Sequence, residues 1–498
     1  MQEKIEKYKS YLKKMHAYNH ALGVLYYDME TAMPKGGAED LGTTIGTLSE
    51  VIYKMETDPE LKALVKELYD CRDSLDWITR REVEVHQEEI ARIDCIPMEE
   101  YVEYQTTLSI ASTVWQKAKV ENDYESFKPY LQKIIDYNRK SALYYAPDKD
   151  PYDTLLDIYE KGLDKKTLDP FFSRLSEAFQ PLVKKCTAAK DSIDDSFLKL
   201  DYPVPLQRIL SDELMRLIGI DRNYCSIGEV EHPFTTNFSK HDVRITTHYH
   251  EDAVASSLYS VVHEGGHALY ELHIGDDLAG SPLATGTSMG IHESQSRLFE
   301  NIIGRSEGFI RVLYPKLTEL FPEQLKGVTA RDFYRAVNKS VPSLIRTEAD
   351  ELTYCFHVMI RYELEKQLIS GTLSVDDLPA EWNRLYKEYL GIDVPDDTHG
   401  VLQDSHWSGG SFGYFPSYAI GSAYGAQFMH CMRQDIDVDS AVASGDLKPV
   451  NSWLTEKIWK YGTLKTPAEL IRDVCGAEFD PEYYIRYITE KMNSVYGF

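Results

Sequence analysis

Residues 253–273 read AVASSLYSVVHEGGHALYELH. Val254, Leu258, Val261, Val262 and Leu269 recur there at helical spacing, which predicts one amphipathic helix through the whole stretch. On such a helix His263 and His267 share a face. Both rings can then turn a nitrogen toward one metal ion about 2 Å away, with Glu264 beside the ion's open position, where a carboxylate can take a proton from water. Chance would produce this pattern roughly 0.04 times in a chain of this composition, so two solvated or core-satisfied histidines are the weaker reading. Gly265 and Gly266 each cost a helix about 1 kcal/mol relative to alanine, so the pair predicts a close neighbour on that face.

A catalytic ion needs a third protein ligand and one open position. Downstream, residues 291–300 read as a second helix whose Glu293, Ser296 and Glu300 share a face, and Glu293 is the expected ligand. Its plain alternative is an exposed carboxylate paired with Arg297 at i+4. A structural zinc site would instead need four ligands, usually including cysteine, and the nearest cysteine in sequence is Cys225. Between Cys225 and Tyr249, short alternating runs around Val230, Phe234, Val243, Ile245 and Thr246-Thr247 predict a small sheet directly before the histidine-bearing helix.

Elsewhere the chain reads helical. Ile5, Tyr8, Leu12, Met15, Leu22 and Leu25 form one apolar stripe that stops near Met33-Pro34. Asp58-Pro59 starts a helix through Leu61, Leu64 and Leu68, and Pro97 starts another past Tyr104, Leu108 and Trp115. No repeat or Pro-rich linker divides the 498 residues, so the expected fold class is mainly α, one unit over 1–498 with the small sheet inside it. Hydrophobic residues at 43% and charged residues at 27% indicate a globular chain. A charged amphipathic start and the lack of a long apolar run predict a cytoplasmic protein without membrane spans. The net charge of −26 argues against nucleic acid and anionic membrane partners, so any anion must meet a local arginine cluster. Seven scattered cysteines without a CxxC pair predict reduced thiols in the core.

Six motifs together resemble the carboxypeptidase Taq family of HEXXH metallocarboxypeptidases. They are His232-Pro233-Phe234, Asp242-Val243-Arg244-Ile245-Thr246, His263 to His267, His292-Glu293-Ser294-Gln295, Ile345-Arg346-Thr347-Glu348-Ala349-Asp350, and Gly400-Val401-Leu402-Gln403-Asp404-Ser405-His406-Trp407. The opening Tyr26-Tyr27-Asp28-Met29-Glu30-Thr31-Ala32-Met33-Pro34 is similar too, with tyrosine where the family usually has tryptophan. The resemblance implies a two-lobed helical fold around a deep groove, one zinc per chain held by His263, His267 and Glu293, peptide substrates with a free C-terminus, and a homodimer. Two histidines and a carboxylate also accept Co²⁺ or Mn²⁺.

In the chemistry so implied, Glu264 is the general base and later returns its proton to the leaving amine. His406 and a tyrosine are the candidate oxyanion donors, with Tyr418 the first choice and Tyr414 the alternate, beside a glycine-rich loop at 409–413 of the kind that closes over substrate. An exopeptidase needs a cation for the terminal carboxylate, and Arg346 is favoured over Arg244. Either arginine could instead serve an ion pair, Arg346 with Asp350 and Arg244 with Asp242. His232, Asp242 and Gln403 are carried by their motifs as shaping the closed end of the groove. An oligopeptidase cutting internal bonds is the other enzyme reading, and a non-catalytic peptide-binding protein the other class.

Overall fold

In the computed structural model, which describes residues 1–498, twenty α-helices surround a single three-stranded sheet. The opening stripe forms the Gln2–Thr31 helix, ending just before Met33-Pro34. Asp58 caps the Pro59–Asp70 helix by accepting from Glu60 N, and Pro97 precedes the Met98–Glu121 helix. A core cluster of 108 buried side chains runs from Ala111 to Tyr496, while eight more around Tyr8, Leu61 and Val83 tie the N-terminal helices together separately. All seven cysteines are free; Cys186, Cys225, Cys355 and Cys431 are buried, whereas Cys71, Cys95 and Cys475 are half-buried, contrary to the expected core placement of all seven. No helix is long and apolar enough to cross a membrane.

The sheet lies where the alternating sequence predicts it. Strands β1 (Cys225–Glu229), β2 (Thr235–Ser239) and β3 (Asp242–Thr247) order as β1-β3-β2, with β1 parallel and β2 antiparallel to β3. Thr235 pairs with Ile245 and Asn237 with Val243, so these four side chains share one face, while Arg244 and its partner Thr236 take the other. The first face packs on the Val254–Leu272 helix, called here the histidine helix.

Glycines let two helices approach a third. A Cβ on Gly266 would lie 2.7 Å from the Gln295 carbonyl and from Ser296 Cα, so the histidine helix meets the backbone of the Met289–Arg297 glutamate helix directly. From the other side, a Cβ on Gly421 of the Pro416–Asp435 tyrosine helix would lie 2.7 Å from Glu293 Cβ. The close neighbour expected from Gly265-Gly266 is therefore the element carrying Glu293. That helix continues into a wholly buried π-helical turn, Leu298–Gly304, of a kind that often marks functional sites.

Candidate metal centre

His263 and His267 point their Nε2 atoms to within 3.7 and 3.6 Å of Glu293 Oε2. Ligands about 2.0–2.1 Å from a tetrahedral ion lie roughly 3.4 Å apart, so the three side chains need little adjustment to hold one. The other ring nitrogens are occupied: His263 Nδ1 donates to Glu300 Oε2 at 2.9 Å, and His267 Nδ1 lies 2.7 Å from His292 Nδ1. Glu293 divides its oxygens, taking Arg297 Nε at 2.6 Å on Oε1 and turning Oε2 to the histidines. Ion pair and ligand were opposed readings of this residue, and the geometry accommodates both. Among all His, Cys, Asp and Glu side chains, these three form the cluster suited to a metal ion.

The electrostatics favour the ligand forms of Glu293 and His267. Burial opposes ionisation of Glu293, but Arg297 and the two histidines outweigh it and hold the carboxyl well below its ordinary range. Burial pushes His267 down to about 3, which keeps it neutral. Burial also lowers His263, but the Glu293 and Glu300 carboxylates more than compensate and raise it, so proton and cation compete there. Glu264 is buried beside the cluster and accepts from Thr235 Oγ1 at 2.6 Å. Its pKa is raised, chiefly by burial, with His263 and Thr235 opposing, as suits a base that must also release its proton.

Tyr418, at the start of the tyrosine helix, lies 3.1 Å through its hydroxyl from His406 Nε2. Tyr414 packs edge-on against Tyr418. Burial, then the field of Glu293, pushes Tyr414 up to about 12; burial and Tyr414 raise Tyr418 further, so both hydroxyls keep their protons as donors. Burial and the neighbouring Arg346 lower His406 to about 4. The glycine-rich loop is pinned: buried Glu365 accepts from Trp407 Nε1 and Gly413 N, each at 2.8 Å, and a Cβ on Gly413 would lie 2.8 Å from the Leu155 backbone.

Arg346 is buried against the same cluster. Its Nε meets Asp404 Oδ1 at 2.9 Å, its Nη1 meets Tyr354 OH at 2.9 Å, and its guanidinium stands 5.0 Å from the Tyr418 ring centre. Asp350, the partner suggested by i+4 spacing, instead caps the Glu351–Ser370 helix. Asp404 is shared with Arg361, so two buried guanidiniums face one carboxylate. Burial opposes its ionisation, yet the two arginines hold Asp404 far below its ordinary range. Gln403 accepts from Arg346 N and donates to the His399 carbonyl. Arg244 lies on the sheet face turned from Glu264, bonded through two nitrogens to Asp242 and stacked near Tyr27 and Phe238. His232 stands exposed between β1 and β2.

Such a centre on a mainly helical frame suits a metal-dependent hydrolase. The chain belongs to the Carboxypeptidase Taq (M32) metallopeptidase family, which it matches over residues 7–492. It is 42% identical to Carboxypeptidase 1 of Bacillus subtilis (strain 168) over 486 residues, covering 97% of each chain. Thermostable carboxypeptidase 1 of Pyrococcus furiosus is 36% identical over 488 residues, 96% of each. The crystal structure of the M32 carboxypeptidase from Deinococcus radiodurans R1 superposes with a TM-score of 0.96 at 33% identity, covering 100% of both chains. The protein is a metallocarboxypeptidase, and its family implies a divalent metal.

The residues behind the candidate ligands left little signal in the sequence. Glu300 was visible only as sharing a face with Glu293, and the π turn that aims it at His263 leaves no pattern in local spacing. Asp404 and Arg361 lie 58 and 15 residues from Arg346, and Glu271 lies 21 from His292, beyond any helical spacing rule.

Proposed function

We propose that the chain is a zinc carboxypeptidase that removes C-terminal residues from peptides, with His263, His267 and Glu293 as ligands and Glu264 as general base. The convergence of two imidazole Nε2 atoms and one carboxylate oxygen beside Glu264 carries this reading. Nitrogen and oxygen donors in this number suit Zn²⁺, with Co²⁺ or Mn²⁺ as substitutes. The ion, when bound, supplies Lewis acidity to water and to the scissile carbonyl. Glu264 takes the proton of the attacking water and passes it to the leaving amine. Tyr418, oriented by His406, donates to the oxyanion, with Tyr414 beside it as the second donor.

Exopeptidase action rests on Arg346. Two guanidiniums sharing one carboxylate leave a buried positive charge that a substrate's terminal carboxylate would balance. Gln403 and Asp404 hold Arg346 in place, while Asp242 occupies Arg244, which supports Arg346 as the carboxylate site. The family match, running nearly end to end, supports one catalytic unit over 1–498, and the family likeness carries the further expectations of a cytoplasmic homodimer. Capping tests the exopeptidase reading: amidating the C-terminus of a short peptide should reduce kcat/KM by 100-fold or more, on the order of a lost buried ion pair. An unchanged rate would mean an oligopeptidase and remove the role given to Arg346.

A further inference from the structure

The two histidines of the cluster are backed differently. His263 leans on a carboxylate, Glu300, itself held by Arg297 at 3.3 Å and Arg305 at 3.2 Å. His267 leans on another ring: its Nδ1 is 2.7 Å from His292 Nδ1, and His292 Nε2 is 2.7 Å from Glu271 Oε1. Glu271 is 3% exposed and is one helical turn beyond His267 on the same helix. We propose that His292 is a positioning residue that, with Glu271, fixes the tautomer of His267 and keeps its Nε2 bare for the metal. This rests on the reading of His267 as a ligand.

The proton placement follows from counting donors. Glu271 Oε1 accepts from Thr285 Oγ1 at 3.0 Å and from Gly286 N at 3.1 Å, and its Oε2 accepts from Asn237 Nδ2 at 2.6 Å. Both oxygens already face donors, so the side chain is an acceptor throughout and the contact with His292 must use a proton on His292 Nε2. With its single ring proton on Nε2, the His292 tautomer that faces Glu271 has a bare Nδ1. Two ring nitrogens 2.7 Å apart share one proton, so that proton sits on His267 Nδ1 and leaves His267 Nε2 as a free lone pair. The opposite placement would set bare His292 Nε2 against the Glu271 carboxylate and put a proton on His267 Nε2, facing Glu293 Oε2. His292 directly precedes Glu293, so adjacent residues of the glutamate helix supply one ligand and orient another.

Metal affinity measured by competition with a chromophoric chelator separates this role from mere packing. With Zn²⁺ and the full-length chain, His292→Leu should weaken binding about 10- to 100-fold, the usual cost of losing an outer partner of a ligating histidine. His292→Gln, whose Oε1 can accept from His267 Nδ1–H, should restore most of it, while the metal-free melting temperatures of both variants stay near wild type. Undiminished affinity in His292→Leu would overturn the proposal. His267→Ala controls the reading beneath it: wild-type affinity in that variant would mean that His267 is no ligand, whereas a loss there with none in His292→Leu would sink the relay alone. Should His292→Leu not fold, ¹⁵N-histidine spectra of zinc-loaded wild type decide. The relay expects the proton of His292 on Nε2, and a proton on His292 Nδ1 would refute it.

Discussion

Glu293 gives one oxygen to Arg297 and the other to the histidines, and its carboxyl stays ionised because three cationic or polar neighbours outweigh burial. Spacing alone proposed its two fates as alternatives, because an i+4 arginine is visible in a sequence and a histidine on the next helix is not. Arg346 shows the same limit: its legible partner Asp350 caps a helix, and its actual partner Asp404 arrives from 58 residues away. Tyr418→Phe removes the hydroxyl donor and should lower kcat about 100- to 1,000-fold with little change in KM, as steady-state kinetics would show; an equal rate would move the donor role to Tyr414. His406, at about 4 when folded, stays neutral where an unfolded histidine near 6.5 would protonate, so its contribution to stability is full above about 6.5 and lost as pH falls toward 4. Thermal melts from pH 7 to 4 should therefore fall more steeply for wild type than for His406→Gln, and parallel curves would contradict the assignment.

The histidine helix was legible because His263, Glu264, His267 and the apolar face all follow one period within a single continuous element. The sheet before it was legible for the same reason at period two. Contacts between elements left only one trace, the glycine pair, which announced a close neighbour without naming it. The pair is unequal. A Cβ at Gly265 would meet the Cδ1 end of Ile218, which can swing aside, whereas at Gly266 it would meet the backbone of the glutamate helix. Gly266→Ala should cost about 1–3 kcal/mol in denaturant melts, as overpacking does, and should also weaken metal binding by shifting Glu293. Gly265→Ala should cost less on both counts. Equal effects would mean that helix propensity, not helix contact, selects these glycines. The loop at 409–413 is tied at Gly413 to Glu365, an anchor brought by a distant helix that loop composition could not reveal.

At the scale of the whole molecule, the candidate metal centre sits on a core of more than a hundred buried side chains, large enough to fold without help from an ion. Chelation should therefore abolish peptide hydrolysis while leaving the far-ultraviolet circular dichroism unchanged, and Zn²⁺ should restore activity; unfolding on chelation would recast the ion as structural. The two-lobed plan is an expectation of the family likeness alone, since no local period encodes how helices far apart in sequence stack. The central claim is that Glu264 acts as the base beside an ion held by its neighbours. Metal content and hydrolysis measured together on Glu264→Gln test it most directly. The expected result is about one zinc per chain, as in wild type, with kcat reduced about 100- to 10,000-fold. A variant that holds the same metal and cleaves peptide at the wild-type rate would contradict it.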